Sequence, residues 1–229
     1  MVAPYPLCMN EYAKAFAASR DAVCEFVSSV PAPEWERTSP LTPLWKVREV
    51  LAHLVGVSRD VSARNLPRGD INEWAQRQVA LGAGLSLDQL VRRWRGFAIE
   101  EEIDESFQFL LFDQVTHEYD IRYALHEPGP ESCARVRVAA ASVIEPFRPS
   151  TTLSFRFRLD GVVYDVGSGD ETIELETSHF EFLRLRAGRR SWPEITDLPW
   201  RGDLTGVRSY LFDNDVFEPA SFRVNEATS

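Results

Sequence analysis

Residues 44–63 read Leu44-Trp-Lys-Val-Arg-Glu-Val-Leu-Ala-His53-Leu-Val-Gly-Val-Ser-Arg-Asp-Val-Ser-Ala63. Within them Val47, Val50, Leu51 and Leu54 stand at i, i+3, i+4 and i+7, the spacing that gives an α-helix one apolar face. Thr42-Pro43 is a start signal just ahead, because the fixed φ of proline suits a first helical turn. Such a face must be buried against other helices, and the flanking sequence supplies them. Asn10 to Val30 carries Tyr12, Phe16, Val23, Phe26, Val27 and Val30 mainly at helical spacing and stops at Pro31 and Pro33. Ser86 and Gln89 form an S-x-x-Q capping box ahead of Leu90, Val91, Trp94 and Phe97, with a shorter helix expected around Ile71 to Leu81. A fourth segment runs from about Glu105 to Leu125. Four helices of this length predict a four-helix bundle.

The periodicity changes at His126-Glu-Pro-Gly-Pro130, a proline and glycine cluster that reads as a linker. This divides the chain into a helical bundle, 1–128, and a C-terminal α+β domain, 129–229. Leu153, Phe155, Phe157 and Leu159 alternate with Ser154, Arg156 and Arg158, the pattern of a half-buried strand. Asp160-Gly161 is a tight hairpin turn into Val162–Val166, and Gly167-Ser-Gly-Asp170 turns again into Thr172–Glu176. Three consecutive strands predict an antiparallel meander, after which Thr177 caps a helix that runs through Leu185 and ends at Gly188. The expected fold class is α plus α+β: a four-helix bundle followed by a small antiparallel-sheet α+β domain.

Composition narrows the function. The chain has 229 residues, 44% hydrophobic and 26% charged, which suits a globular protein with one large core or two smaller ones. Its 25 Lys and Arg against 35 Asp and Glu give a net charge of −10, which argues against nucleic acid or an anionic membrane as the main partner. No signal peptide and no apolar stretch of membrane-span length is present in the sequence, so a cytoplasmic location is expected. The three cysteines, Cys8, Cys24 and Cys133, are widely spaced with no CxxC. That excludes a disulfide framework or a thiolate zinc site, and leaves any metal to His, Asp or Glu.

On the fourth helix Asp113, His117, Asp120 and Ala124 fall in one stripe bordered by Phe109, Leu110 and Ile121. Charged groups in apolar surroundings are paired, hydrogen-bonded or bound to metal, because a buried unpaired carboxylate costs several kcal/mol. Asp113 and His117 are one turn apart, so a carboxylate oxygen and an imidazole nitrogen can converge on one ion. His53, at the border of the apolar face of the second helix, is available as a third ligand. Two His and one carboxylate leave a coordination position open, as in catalytic Zn²⁺ sites, and non-haem Fe(II) uses the same ligand types. Asp120 can hold the free nitrogen of His117 or contact substrate. From spacing alone, a satisfied core ion pair between Asp113 and His117 is an equally open reading. Other catalytic patterns fail: His117-Glu118 has Ile121 where HExxH needs His, and Gly56-Val-Ser58-Arg-Asp60 lacks the second Gly of GxSxG.

Trp45-Lys-Val-Arg-Glu-Val-Leu-Ala-His53-Leu54 resembles the W-x-V-R-D-[LV]-[LV]-x-H-L signature of the mycothiol-dependent maleylpyruvate isomerase family, a branch of the DinB-like metal-binding bundles. Asp113-Gln-Val-Thr-His117-Glu-Tyr-Asp120 is similar to that family's E-x-x-x-H-x-x-D segment. Leu185-Arg-Ala-Gly-Arg-Arg190 and Leu198-Pro-Trp-Arg-Gly-Asp203 resemble the G-R and W-x-G-D elements of its second domain. The resemblance implies a metal triad of His53, Asp113 and His117, with Asp113 standing where the family has Glu. A carboxylate shorter by one methylene requires a closer approach of the helices or a metal shifted toward the fourth helix.

The resemblance also implies the chemistry. The metal, most simply Zn²⁺, lowers the pKa of the thiol of mycothiol, a low-molecular-weight thiol, and the thiolate adds to a small electrophile. Departure of the thiolate after bond rotation isomerises maleylpyruvate to fumarylpyruvate; retention makes the site an S-transferase. A dicarboxylate substrate needs cationic anchors in a pocket between bundle and C-terminal domain, and arginine forks suit them. Arg189 and Arg190 are the candidates at the substrate, Arg77 is a candidate contact for the bound cofactor, and Asp120 joins the catalytic set. Trp45 is expected in core packing and Arg48 in a surface ion pair. A reading from a different class is a non-catalytic, ligand-binding or regulatory member of the same bundle fold.

Overall fold

The computed structural model describes residues 9–27, 29–67, 69–97, 99, 108–145, 153–212 and 217–224. The chain divides into two compact units, Met9–Gly129 and Pro130–Thr228. Among the described residues no helix is long and apolar enough to cross a membrane.

The first unit contains α1 (Met9–Val27), α2 (Val47–Ser62), α3 (Ile71–Gly82), α4 (Leu87–Gly96) and α5 (Gln108–Leu125), with a 3₁₀ turn over Ala32–Glu36. The expected stripe on α2 is its core face: Val47, Val50, Leu51 and Leu54 are all buried. They meet Val23 and Val27 of α1, Leu90 and Trp94 of α4, and Ile121 and Ala124 of α5 in one cluster. Burial of such side chains stabilises by about 1.5–3 kcal/mol each, so this shared face is the main source of the unit's stability. The one polar atom of the Trp94 ring is satisfied inside the core, where Nε1 donates to Ser58 Oγ at 2.8 Å.

Helix α3, expected only as a shorter segment, is a full three turns packed on α2. Its N-cap is Asp70, whose Oδ1 accepts from the Asn72 N–H at 2.7 Å. The approach to α2 is close because two glycines stand at the contact. A Cβ on Gly56 would lie 2.5 Å from Gln78 Cβ, and one on Gly82 2.4 Å from Ala52 Cβ. Helix α4 begins with the expected capping box, Gln89 N–H to Ser86 Oγ at 3.2 Å and Ser86 N–H to Gln89 Oε1 at 2.8 Å.

Helix α2 starts at Val47, later than the expected Leu44. The preceding residues form a turn instead: Trp45 N–H donates to Thr42 O at 2.8 Å, Ser39 N–H to Trp45 O at 2.9 Å, and Val47 N–H to Arg37 O at 2.9 Å. Glu49 then accepts from the Lys46 N–H at 2.7 Å and caps the first helical turn. The expected first turn of the fourth helix, from Glu105, lies outside the described residues.

The second unit contains α6 (Ala134–Ala141), β1 (Ser154–Leu159), β2 (Val162–Gly167), β3 (Thr172–Thr177), α7 (His179–Arg186), α8 (Trp192–Thr196), β4 (Trp200–Arg201) and α9 (Val207–Leu211). The β1–β2 hairpin is antiparallel and turns through Asp160 and Gly161, both at positive φ. The meander is not formed. The sheet order is β2-β1-β3-β4, and β3 pairs with β1 in parallel, Ser154 opposite Thr172 through Leu159 opposite Thr177. The sheet is therefore mixed, and the short loop after β2 crosses the start of β1. Gly167, at φ 80°, makes that crossing: a Cβ there would lie 2.1 Å from Leu153 O. Ser154 Oγ holds the loop by donating to Gly169 O at 2.9 Å.

Phe155, Phe157 and Leu159 of β1, Tyr164 and Val166 of β2, and Ile173 and Leu175 of β3 are buried together with Phe182 of α7 and Tyr210 of α9. Phe157 lies 4.8 Å from Phe182 and Phe155 4.1 Å from Tyr210 between ring centres. Helix α7 is capped by Ser178, one residue after the expected Thr177, and ends before Gly188 at φ 70°.

Candidate metal centre

Helices α2 and α5 share the core of the first unit, and that packing sets His53 opposite Asp113 and His117. His53 Nε2 lies 3.1 Å from Asp113 Oδ2, and His117 Nε2 lies 3.5 Å from Asp113 Oδ1. One donor atom from each of the three residues falls within 4.8 Å of the others, the sole such cluster of three or more among the described residues. Bonds of about 2.0–2.1 Å to a tetrahedral ion separate its ligand atoms by about 3.3 Å, and the two spacings, each to a different Asp113 oxygen, are near that value. Asp113 thus reaches both imidazoles despite its shorter side chain.

The site is shielded from water. His53 is 3% exposed and His117 8%, while the Asp113 side chain, at 15%, is the most exposed of the three. Asp120, fully buried one turn beyond, has its Oδ2 3.0 Å from His117 Nδ1. That contact fixes the proton on Nδ1 and leaves Nε2 for the site, the supporting role anticipated for Asp120.

Electrostatics follow from this geometry. Burial alone disfavours charge on His117, but the Asp113 carboxylate, together with hydrogen bonds to Asp113 and Asp120, outweighs it and pushes the pKa up to about 9. Burial alone would likewise raise the Asp113 carboxyl. The charges of His53 and His117 and their hydrogen bonds instead hold it well below the usual carboxylate range. Without a cation the site is a closed ion-pair cluster; with one, the same three groups are donors of the N and O type that divalent zinc or iron accepts.

Trp45 packs against the core of the first unit, as expected, and also borders this site. Its ring centre lies 5.1 Å from that of His53 and 6.1 Å from that of His117. No periodicity could have placed it, since it precedes the helix on the turn that leads into Val47. Arg48 forms the expected ion pair, 3.1 Å from Glu36.

The arginines are placed differently. Arg77 is exposed on α3, at the flank of the face that buries Trp74 and Gln78. In the second unit Arg190 is buried and forks onto Glu181, with Nε to Oε1 at 2.6 Å and Nη2 to Oε2 at 2.7 Å. Arg189 is partly exposed and donates from Nη1 to Ala187 O at 2.6 Å. His179 opens α7, with Nδ1 2.7 Å from Asp160 and Nε2 3.0 Å from Tyr164 Oη.

Residues 16–100 match the family model described as the mycothiol maleylpyruvate isomerase N-terminal domain, a span that includes His53 and ends before Asp113. Two solved structures share the fold. A histidine-to-alanine mutant of the mycothiol-dependent maleylpyruvate isomerase aligns with a TM-score of 0.53 at 13% identity, covering 82% of this chain and 92% of that one. The unmutated enzyme aligns with a TM-score of 0.51 at 14% identity over the same shares. No curated protein matches the sequence. The chain has the fold of the mycothiol-dependent maleylpyruvate isomerase, and part of its first unit, residues 16–100, is similar to that family's N-terminal domain.

Proposed function

We propose that this chain is a metal- and thiol-dependent enzyme of the maleylpyruvate isomerase type, acting on a small electrophile with mycothiol as the thiol. The convergence of His53, Asp113 and His117 carries the reading: three metal-type donors within 4.8 Å in a buried site, on a domain of this family. His53 and His117 would hold a divalent cation, most simply Zn²⁺, through Nε2, and Asp113 through its carboxylate. The chemistry a divalent cation supplies in such a site is acidification of a thiol, so that thiolate is present at neutral pH. Asp120 keeps the His117 ring oriented, and Trp45 closes one side of both imidazoles against water. Arg189 and Arg190 remain the proposed anchors for an anionic substrate. Of the two, Arg189 is the more exposed, whereas the Arg190 fork is already matched to Glu181.

Cis–trans isomerisation and S-transfer differ in whether the thiol sulfur remains in the product, so mass analysis separates them. The deciding experiment is metal analysis of protein purified without chelators, joined to a thiol-addition assay. About one equivalent of zinc or iron is expected, with activity abolished in His53→Ala. Less than about a tenth of an equivalent, with no uptake of added Zn²⁺, would overturn the reading.

A further inference from the structure

The two histidines of the centre are held in different ways. His117 has Asp120 on its second nitrogen. His53 has nothing comparable: its Nδ1 is buried and has no hydrogen-bond partner among the described residues. A second-nitrogen partner normally sets the orientation and tautomer of a ligating imidazole, and its loss costs about 10–100-fold in metal affinity. An imidazole without one can turn over about its Cβ–Cγ bond, exchanging the nitrogen that faces the site for a carbon, unless packing prevents it.

Asp113 holds Nε2 from one side at 3.1 Å, and the packing against the ring comes from Trp45. The indole lies 5.1 Å from the His53 ring at an interplanar angle of 40°, and it also reaches the His117 ring at 6.1 Å and 42°. The two imidazoles are themselves 5.1 Å apart, edge to face, so the three rings brace one another. Trp45 is fixed by its own backbone, with its N–H on Thr42 O and its C=O accepting from Ser39. Its Nε1, like His53 Nδ1, is buried without a hydrogen-bond partner among the described residues, so the indole acts by its face. When Nε2 of His53 faces a cation the ring proton lies on Nδ1, and an aromatic face is the remaining weak acceptor for it.

We infer that Trp45 is a positioning residue for the metal centre: an aromatic clamp that replaces the missing second-nitrogen partner of His53 and keeps Nε2 turned toward Asp113. An aromatic ring of another kind can fill this role, and an aliphatic side chain of similar size cannot.

Trp45→Phe and Trp45→Leu test it in the full chain by two measurements. The first is Zn²⁺ affinity by competition with a chromogenic chelator: Leu should bind about 10–100-fold more weakly than the native chain, and Phe within about threefold of it. The second is the long-range ¹⁵N spectrum of the His53 ring in chelator-treated protein, where native and Phe chains should give one sharp pair of nitrogen signals and Leu a broadened, averaged pair. The affinity measurement rests on the metal-dependent reading proposed above, and the ring measurement does not. If the native chain binds no Zn²⁺, that reading fails and the ring spectra alone decide the clamp. A sharp, native-like His53 pair in the Leu variant, or Phe as impaired as Leu in either measurement, would overturn it.

Discussion

His117 Nδ1 and Asp120 Oδ2 lie 3.0 Å apart with the carboxylate fully buried, while the other ring nitrogen of His117 faces Asp113 in the candidate metal centre. A buried carboxylate on the outer nitrogen makes the inner one a stronger donor and stops the ring from turning. Asp120→Asn keeps the shape and removes the charge. Metal affinity is expected to fall about 10–100-fold while the far-ultraviolet spectrum and melting cooperativity stay native. Unchanged affinity in a chelator titration would count against this role.

On the proposed metal-dependent reading, the same cluster makes cation binding pH-dependent. His117 has its pKa pushed above the ordinary 6.5 to about 9, so its pairing stabilises the metal-free fold fully below about 6.5 and ceases to do so as pH rises through about 9. Asp113 is held below its ordinary 3.8, so its contribution is present above that value and is lost as pH falls further. The chelator-treated protein should therefore melt at its highest temperature between about pH 4 and 6.5, with a decline from about pH 6.5 to 9. Because His117 must lose its proton to ligate, roughly one proton should be released per cation at pH 7.5, and affinity should climb toward pH 9. Calorimetry in buffers of different ionisation enthalpy measures that release; a value near zero would refute the assignment.

Gly56 faces Gln78 where α2 meets α3, and a Cβ there would lie 2.5 Å from Gln78 Cβ and 3.1 Å from its Cα. The backbone of α3 would have to move, since neither atom belongs to a flexible side-chain end. Gly56→Ala is expected to cost about 1–3 kcal/mol by overpacking, despite the better helix propensity of alanine. Urea unfolding checks the sign: a stabilised variant would show that α2 and α3 are not in this contact.

In the second unit Asp160 joins the β1–β2 turn to the start of α7. Its Oδ2 accepts from the His179 backbone N–H at 3.0 Å and lies 2.7 Å from His179 Nδ1, while its own backbone is left-handed at φ 47°. Asp160→Ala removes both contacts and keeps a Cβ in a disfavoured conformation; about 1–2 kcal/mol should be lost. Asp160→Asn retains an acceptor and tolerates that conformation, so it should lose less than half as much. Equal losses for the two variants, measured by urea unfolding, would argue against the pin.

What could be read along the chain was what depends on near neighbours in sequence. The apolar stripe of α2, the Ser86–Gln89 box, the Asp160-Gly161 turn and the Asp113–His117 pair all rest on separations of four residues or fewer, or on their repetition along one element. His53 was legible as a candidate because it borders that stripe, and the stripe must face the bundle interior where α5 lies.

Tertiary structure decided what those patterns leave symmetric. Alternation in β1, β2 and β3 states which side chains are buried but not which strand lies beside which, and β3 took the free edge of β1 because Gly167 lets the chain cross at Leu153. Trp45 precedes its helix and has no periodic partner, so its place against His53 and His117 came only from the turn that folds it back. Arg190 looks in sequence like any surface arginine until Glu181, nine residues earlier, closes on it across the Gly188 turn. Residue type and local spacing determined which groups this protein offers for chemistry. The three-dimensional packing of α2 against α5 brought His53, 60 residues before Asp113, within 3.1 Å of it, because burying the shared apolar face leaves those polar groups little solvent and chiefly each other.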